Sequence, residues 1–98
     1  MRKIVLILLL LMFLLHGCLS QIAPVDSSSK SWIGHSIAER EAIPNPYASS
    51  IGWKEKIYRL DNGMLVYVEP VRPGCFIHWE VNPQGIIVGY KLEGNRCY

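Results

Sequence analysis

A chain of 98 residues with ten Lys+Arg against eight Asp+Glu has a formal charge of +2 and room for one domain at most. Two of the ten cations are Arg2 and Lys3; without them the charges balance at eight and eight. Such neutrality excludes a nucleic-acid binder, which needs a basic face to neutralise phosphates, and it excludes polybasic attraction to anionic lipid.

Met1-Arg2-Lys3 is a short basic head on twelve consecutive apolar residues, 4–15. A helix of that length rises about 18 Å, short of the roughly 30 Å hydrocarbon core of a bilayer. The segment therefore reads as a cleaved secretion signal rather than a permanent span. It ends in Leu15-His16-Gly17-Cys18: aliphatic, variable, small, cysteine. That pattern resembles a lipobox, the site of bacterial signal peptidase II. Small Gly17 lets the peptidase approach the bond, and the end of the apolar run holds the thiol at the membrane surface. The expectation is a signal peptide over residues 1–17, cleavage before Cys18, and diacylglycerol and acyl lipid on that cysteine, with no other cofactor. One acyl chain binds only marginally, whereas two or three anchor stably. An ordinary signal peptide with an incidental cysteine is the alternative.

Cleavage there leaves 81 residues, 18–98, with two further cysteines, Cys75 and Cys97. A small exported domain buries a limited core and often carries a covalent staple, and this pair admits one intramolecular connectivity. A Cys75–Cys97 disulfide is expected, worth about 3 kcal/mol in the loop-entropy model. A zinc site would draw on Cys75, His78, Cys97 and His35. Residues three apart in a strand point to opposite faces, however, so Cys75 and His78 diverge, no metal is expected, and His78 reads as a surface histidine.

Residues 18–31 comprise the lipidated cysteine and a flexible tether. Positions 19–30 have no apolar period and hold a serine cluster; twelve extended residues reach about 40 Å. Leu19 stands where an aspartate would otherwise follow the cysteine, which resembles the pattern sorting lipoproteins to the outer membrane, facing the periplasm. A small domain is expected over residues 32–98. Ser36 is an N-cap with Glu39 three residues on, a capping-box spacing, and Pro44 limits that helix to about two turns. Residues 45–50 read as a loop. Strands follow over 56–60 and 64–69, joined through Asn62-Gly63. A two-residue type I′ turn would set Leu60 opposite Leu65 and Tyr58 opposite Tyr67. Residues 70–74 reverse the chain. The stretch 75–81 alternates, with Ile77, Trp79 and Val81 on one face. Asn82-Pro83-Gln84-Gly85 suits a type I turn with a glycine bulge, which places Asn82 opposite Ile86 and Trp79 opposite Gly89. A tight two-residue loop would instead set Val88 opposite Trp79; the bulge is favoured. Residues 86–92 return, and Gly94 turns the tail so that Cys97 comes beside Cys75. The fold class is α+β, a short N-terminal helix packed on a small antiparallel β-meander of three to four strands.

Catalytic motifs are missing: there is no G-x-S-x-G, P-loop, H-E-x-x-H or C-x-x-C. Glu39 and Glu41, two apart on a helix, diverge and read as a solvated face rather than an acid/base pair. His35 beside Ser36 reads as capping, and Ser27, Ser28 and Ser29 fall in the tether. No enzyme and no small-molecule substrate are expected. Aromatic residues are many for so small a domain: Trp32, Trp53, Trp79, Tyr47, Tyr58, Tyr67, Tyr90 and Tyr98. Trp32 and Trp79 are expected to pack helix on sheet, while Trp32, Trp53, Tyr58 and Tyr67 are the candidate partner-binding aromatics.

Trp32-Ile33-Gly34, Leu60-Asp61-Asn62-Gly63, Gly74-Cys75, Gly85-Ile86-Ile87 and Gly94-Asn95-Arg96-Cys97 together resemble a recurrent class of short bacterial lipoproteins of unassigned role. Where that class carries Trp-Gly-x-Pro after the helix, this chain has Ile43-Pro44-Asn45-Pro46. More distantly, the layout is similar to SmpA/OmlA-type outer-membrane assembly lipoproteins, in which helices pack on a three-stranded sheet. The resemblance implies a membrane-anchored periplasmic module that binds or stabilises other envelope proteins without catalysis. The alternative is a small lipoprotein subunit of a secretion or conjugation apparatus.

Overall fold

The structure, a computed structural model, describes residues 24–98. The signal segment, Cys18 and the first part of the expected tether lie outside the described residues. Among the described residues three short helices, α1 (Val25–Lys30), α2 (Ile37–Glu41) and α3 (Pro46–Ser50), precede four strands, β1 (Lys56–Arg59), β2 (Leu65–Arg72), β3 (Cys75–Val81) and β4 (Ile87–Glu93). The strands form one antiparallel sheet in the order β1-β2-β3-β4, the α+β meander that the alternating runs imply.

Two of the helices differ from the sequence reading. Residues 25–30, expected as the end of a flexible tether, form α1, and the packed domain begins by Val25 rather than at Trp32. Serine-rich helices are weak in isolation because the hydroxyls compete for backbone groups; here Ser29 Oγ donates to the Val25 carbonyl at 2.6 Å. Docking compensates: Val25 and Ser29 are buried, and Tyr90 Oη on β4 donates to Asp26 Oδ1 at 2.6 Å. The second difference is α3, in the stretch expected as a loop. Asn45 is its N-cap, with Oδ1 accepting from Ala48 N at 3.0 Å, and Pro46 follows in the first turn, where a missing N–H costs nothing. The expected helix is α2. Ser36 Oγ accepts from Glu39 N at 3.1 Å, but Glu39 turns its carboxylate to His35 Nδ1 at 3.1 Å.

Both hairpin registers depart from expectation by one residue. Asp61-Asn62-Gly63 makes a three-residue loop, Gly63 N donating to the Leu60 carbonyl and Leu60 N to that of Met64. Gly63 is in the left-handed region, φ 84°, the geometry of a type I turn with a glycine bulge rather than type I′. Tyr58 therefore faces Val66, and Ile57 faces Tyr67. In the second hairpin the glycine-bulge turn forms as expected: Asn82 N donates to the Ile86 carbonyl and Gly85 N to that of Asn82, both at 2.9 Å. A second irregularity follows between Glu80 and Val81, so Trp79 faces Tyr90 and Glu80 faces Gly89. Trp79 thus packs on a ring, 6.2 Å between centroids, and not on bare backbone.

Cys75, Ile77, Trp79 and Val81 bury one face of β3 and make the core with Val25, Ile37 and Ile87. Trp79, 1% exposed, is the largest side chain in it. Cys75 and Cys97 are joined as a disulfide, which pins the tail under β3. Residues before α2 cover the start of β4: Gly34 N donates to the Ile87 carbonyl and Ile87 N to the His35 carbonyl, each at 2.8 Å. At the other side of the sheet β1 is exposed along its whole length.

Candidate functional site

The shortness of β1 leaves the second half of β2 without a strand partner on that side, and the chain between α2 and β1 fills the space. Asn45 Nδ2 donates to the Pro70 carbonyl at 2.9 Å, fixing α3 against β2. Between α2, α3 and β2 remains an open groove of about 270 Å³, whose lining includes Arg40, Glu41, Trp53, Glu55, Tyr67 and Glu69.

Arg40 forms the inner wall. Its guanidinium lies 5.1 Å from the ring centre of Trp32 and 5.3 Å from that of Trp79, and it grips Glu69 with two parallel bonds, Nε to Oε1 at 3.0 Å and Nη2 to Oε2. A planar, bidentate cation between two indoles suits Arg and not Lys. Trp53 forms the outer wall, 5.7 Å from Phe76, with Lys56 Nζ 5.0 Å from its ring centre. Glu41 and Glu55 stand at the rim. Partial burial, a hydrogen bond shared with Glu55 and the negative charge of Glu55 and Glu69 together push the Glu41 carboxyl above its usual range. Among the described residues neither Glu41 nor Glu55 has an ion-pair partner within 4 Å.

Of the four aromatics singled out in the sequence, Trp53 and Tyr67 line this groove. Trp32 packs behind it on Arg40, 5.3 Å from the His35 ring. Tyr58 stands on the opposite face of the sheet, where its hydroxyl meets His78 Nδ1 at 2.9 Å and His78 Nε2 meets Glu93 Oε2 at 2.6 Å. Cys75 and His78 point to opposite faces of β3, and both cysteines of the alternative zinc set are engaged with each other. Arg40 and the Glu41–Glu55 pair escaped the sequence reading. Arg40 lies between residues read as solvated helix, and Glu55 lies fourteen positions from Glu41 with no periodicity to relate them.

Comparison with known proteins matches no family model, no curated protein and no solved structure.

Proposed function

We propose that the chain is the precursor of a lipoprotein of the outer membrane, held by acyl chains on Cys18, whose folded part is a non-enzymatic binding module facing the periplasm. One observation carries this assignment: the apolar run 4–15 ends at Leu15-His16-Gly17-Cys18, directly ahead of a small disulfide-linked domain. A disulfide in so small a fold suits an oxidising compartment. The groove supports binding over catalysis: its polar lining is the Arg40–Glu69 pair closed on itself, Glu41, Glu55, Asn45, Lys56 and Tyr67, with no serine, threonine, cysteine or histidine among the described lining residues. A hydroxyl–imidazole–carboxylate chain, Tyr58–His78–Glu93, lies across the sheet from it. Helix α1 begins at Val25, so residues 19–24 lie between it and Cys18. Six residues span at most about 20 Å, so the module works close to the headgroups.

The test is the intact mass of the protein extracted from membranes. The expected species starts at Cys18 and carries diacylglycerol and an acyl chain. A Cys18→Ser variant is expected as uncleaved precursor or as protein released from the membrane. Mature, lipid-bearing protein from that variant would refute the assignment.

A further inference from the structure

We propose that the groove between α2, α3 and β2 is a socket for a lysine or arginine side chain presented by another envelope protein. The choice of partner rests on the lipoprotein assignment; the chemistry of the socket does not. Its volume of about 270 Å³ falls just under the roughly 300–1,000 Å³ of pockets that enclose whole small molecules. One long side chain entering from a larger surface suits that size. Ile43, Pro70, Trp53 and Tyr67 line the groove and offer apolar surface to an aliphatic stem.

Charge decides the sign of the occupant. Glu69 is neutralised by Arg40, and Lys56 rests over Trp53. Glu41 and Glu55 both line the groove and have no cation within 4 Å among the described residues. The groups facing Glu41 are Glu55 ahead of β1, Glu69 on β2, and the engaged cations Arg40 and Lys56. An incoming ammonium or guanidinium would offset the negative charge of Glu55 and Glu69 that faces Glu41 and draw the raised Glu41 carboxyl back toward its ordinary range. An incoming carboxylate would add to that charge.

The experiment uses the isotope-labelled protein purified in detergent from its host cells, following the indole N–H resonance of Trp53 assigned with Trp53→Phe. The probes are the acetylated, amidated tripeptides Gly-Lys-Gly, Gly-Arg-Gly and Gly-Gln-Gly, and choline as a free organic cation. The lysine and arginine peptides are expected to shift Trp53 saturably and at least tenfold more tightly than the glutamine peptide. That preference is expected to vanish in the Glu41→Gln/Glu55→Gln double variant and to survive in Glu39→Gln, which changes an exposed carboxylate of α2 that does not line the groove. Glutamine-peptide binding equal to the lysine peptide, or no saturable shift, overturns the socket. Choline binding as tightly as either cationic peptide overturns the assignment to a protein side chain. The intact mass of the same sample reports the lipid: its absence with peptide binding preserved fails the lipoprotein assignment alone, and its presence without binding fails the socket alone.

Discussion

Arg40 is the residue on which most of this structure converges. Its guanidinium closes the groove, stacks between the rings of Trp32 and Trp79, and holds Glu69 on β2 from a five-residue helix. Removing it strands a half-buried carboxylate and opens the space between two indoles. Arg40→Met is expected to cost about 2–3 kcal/mol in urea unfolding, below the cost of breaking a fully buried pair, and Arg40→Lys about 1–2 kcal/mol because the fork and the stack are lost while the charge remains. The second critical position is Gly94. It has φ 116°, and a Cβ there would overlap the Gly74 carbonyl oxygen, which accepts from Arg96 N. Gly94→Ala is expected to cost about 3 kcal/mol or more. Gly52→Ala, with φ 64° but open space around it, is expected to cost only about 1 kcal/mol. Thermal unfolding of the two variants checks the contrast, since each kcal/mol moves the midpoint of a domain this size by about 4–8 °C.

Among the elements, what was legible in the sequence was what local chemistry determines. The alternation of β3 predicts its buried face because side chains in a strand alternate whatever the strand pairs with. Ser36 caps α2 as its spacing with Glu39 requires, and the Gly85 turn forms as its residues demand. The signal for α3 was also present, in Asn45 followed by Pro46, but the proline density suggests a loop to anyone weighing breakers over caps. Other features depend on distant partners. Asn62-Gly63 fits either a two- or a three-residue loop, and only the pairing of β1 with β2 selects the latter. Helix α1 has no periodic signal, because its stability comes from β4 through Val25 and the Tyr90–Asp26 bond. That bond carries a pH signature. Hydrogen bonding to Asp26, then burial and the Asp26 charge, raise the Tyr90 phenol above its usual 10.0. A raised value means that the bond's contribution is complete below pH 10 and is lost as the pH climbs through the folded-state value. Amide exchange in α1 is therefore expected to accelerate selectively in strong alkali, and in Tyr90→Phe at neutral pH, while β3 stays protected.

For the whole molecule, the limiting quantity is the size of the core. Among the described residues, seven buried ones form a cluster around Trp79, a small store of burial for a sheet with one fully exposed edge strand. The disulfide supplies what the core lacks. It links the first residue of β3 to the tail, 22 positions apart, and so holds together the last two strands and the Gly74–Gly94 approach. The loop-entropy model assigns such a link about 3 kcal/mol, a large share of the stability open to a domain of this size. Replacing both cysteines by serine is expected to lower the thermal midpoint by about 10–25 °C. Cys75 has no exposure at all, so a thiolate reductant reaches the bond only through Cys97 or after the tail has opened. Reduction of the native protein by dithiothreitol is therefore expected to be slow, and to accelerate at least tenfold in Gly94→Ala, where the tail no longer seats against Gly74. Equal reduction rates in the two proteins would mean that the bond is reached without opening the tail, and that the tail does not protect it.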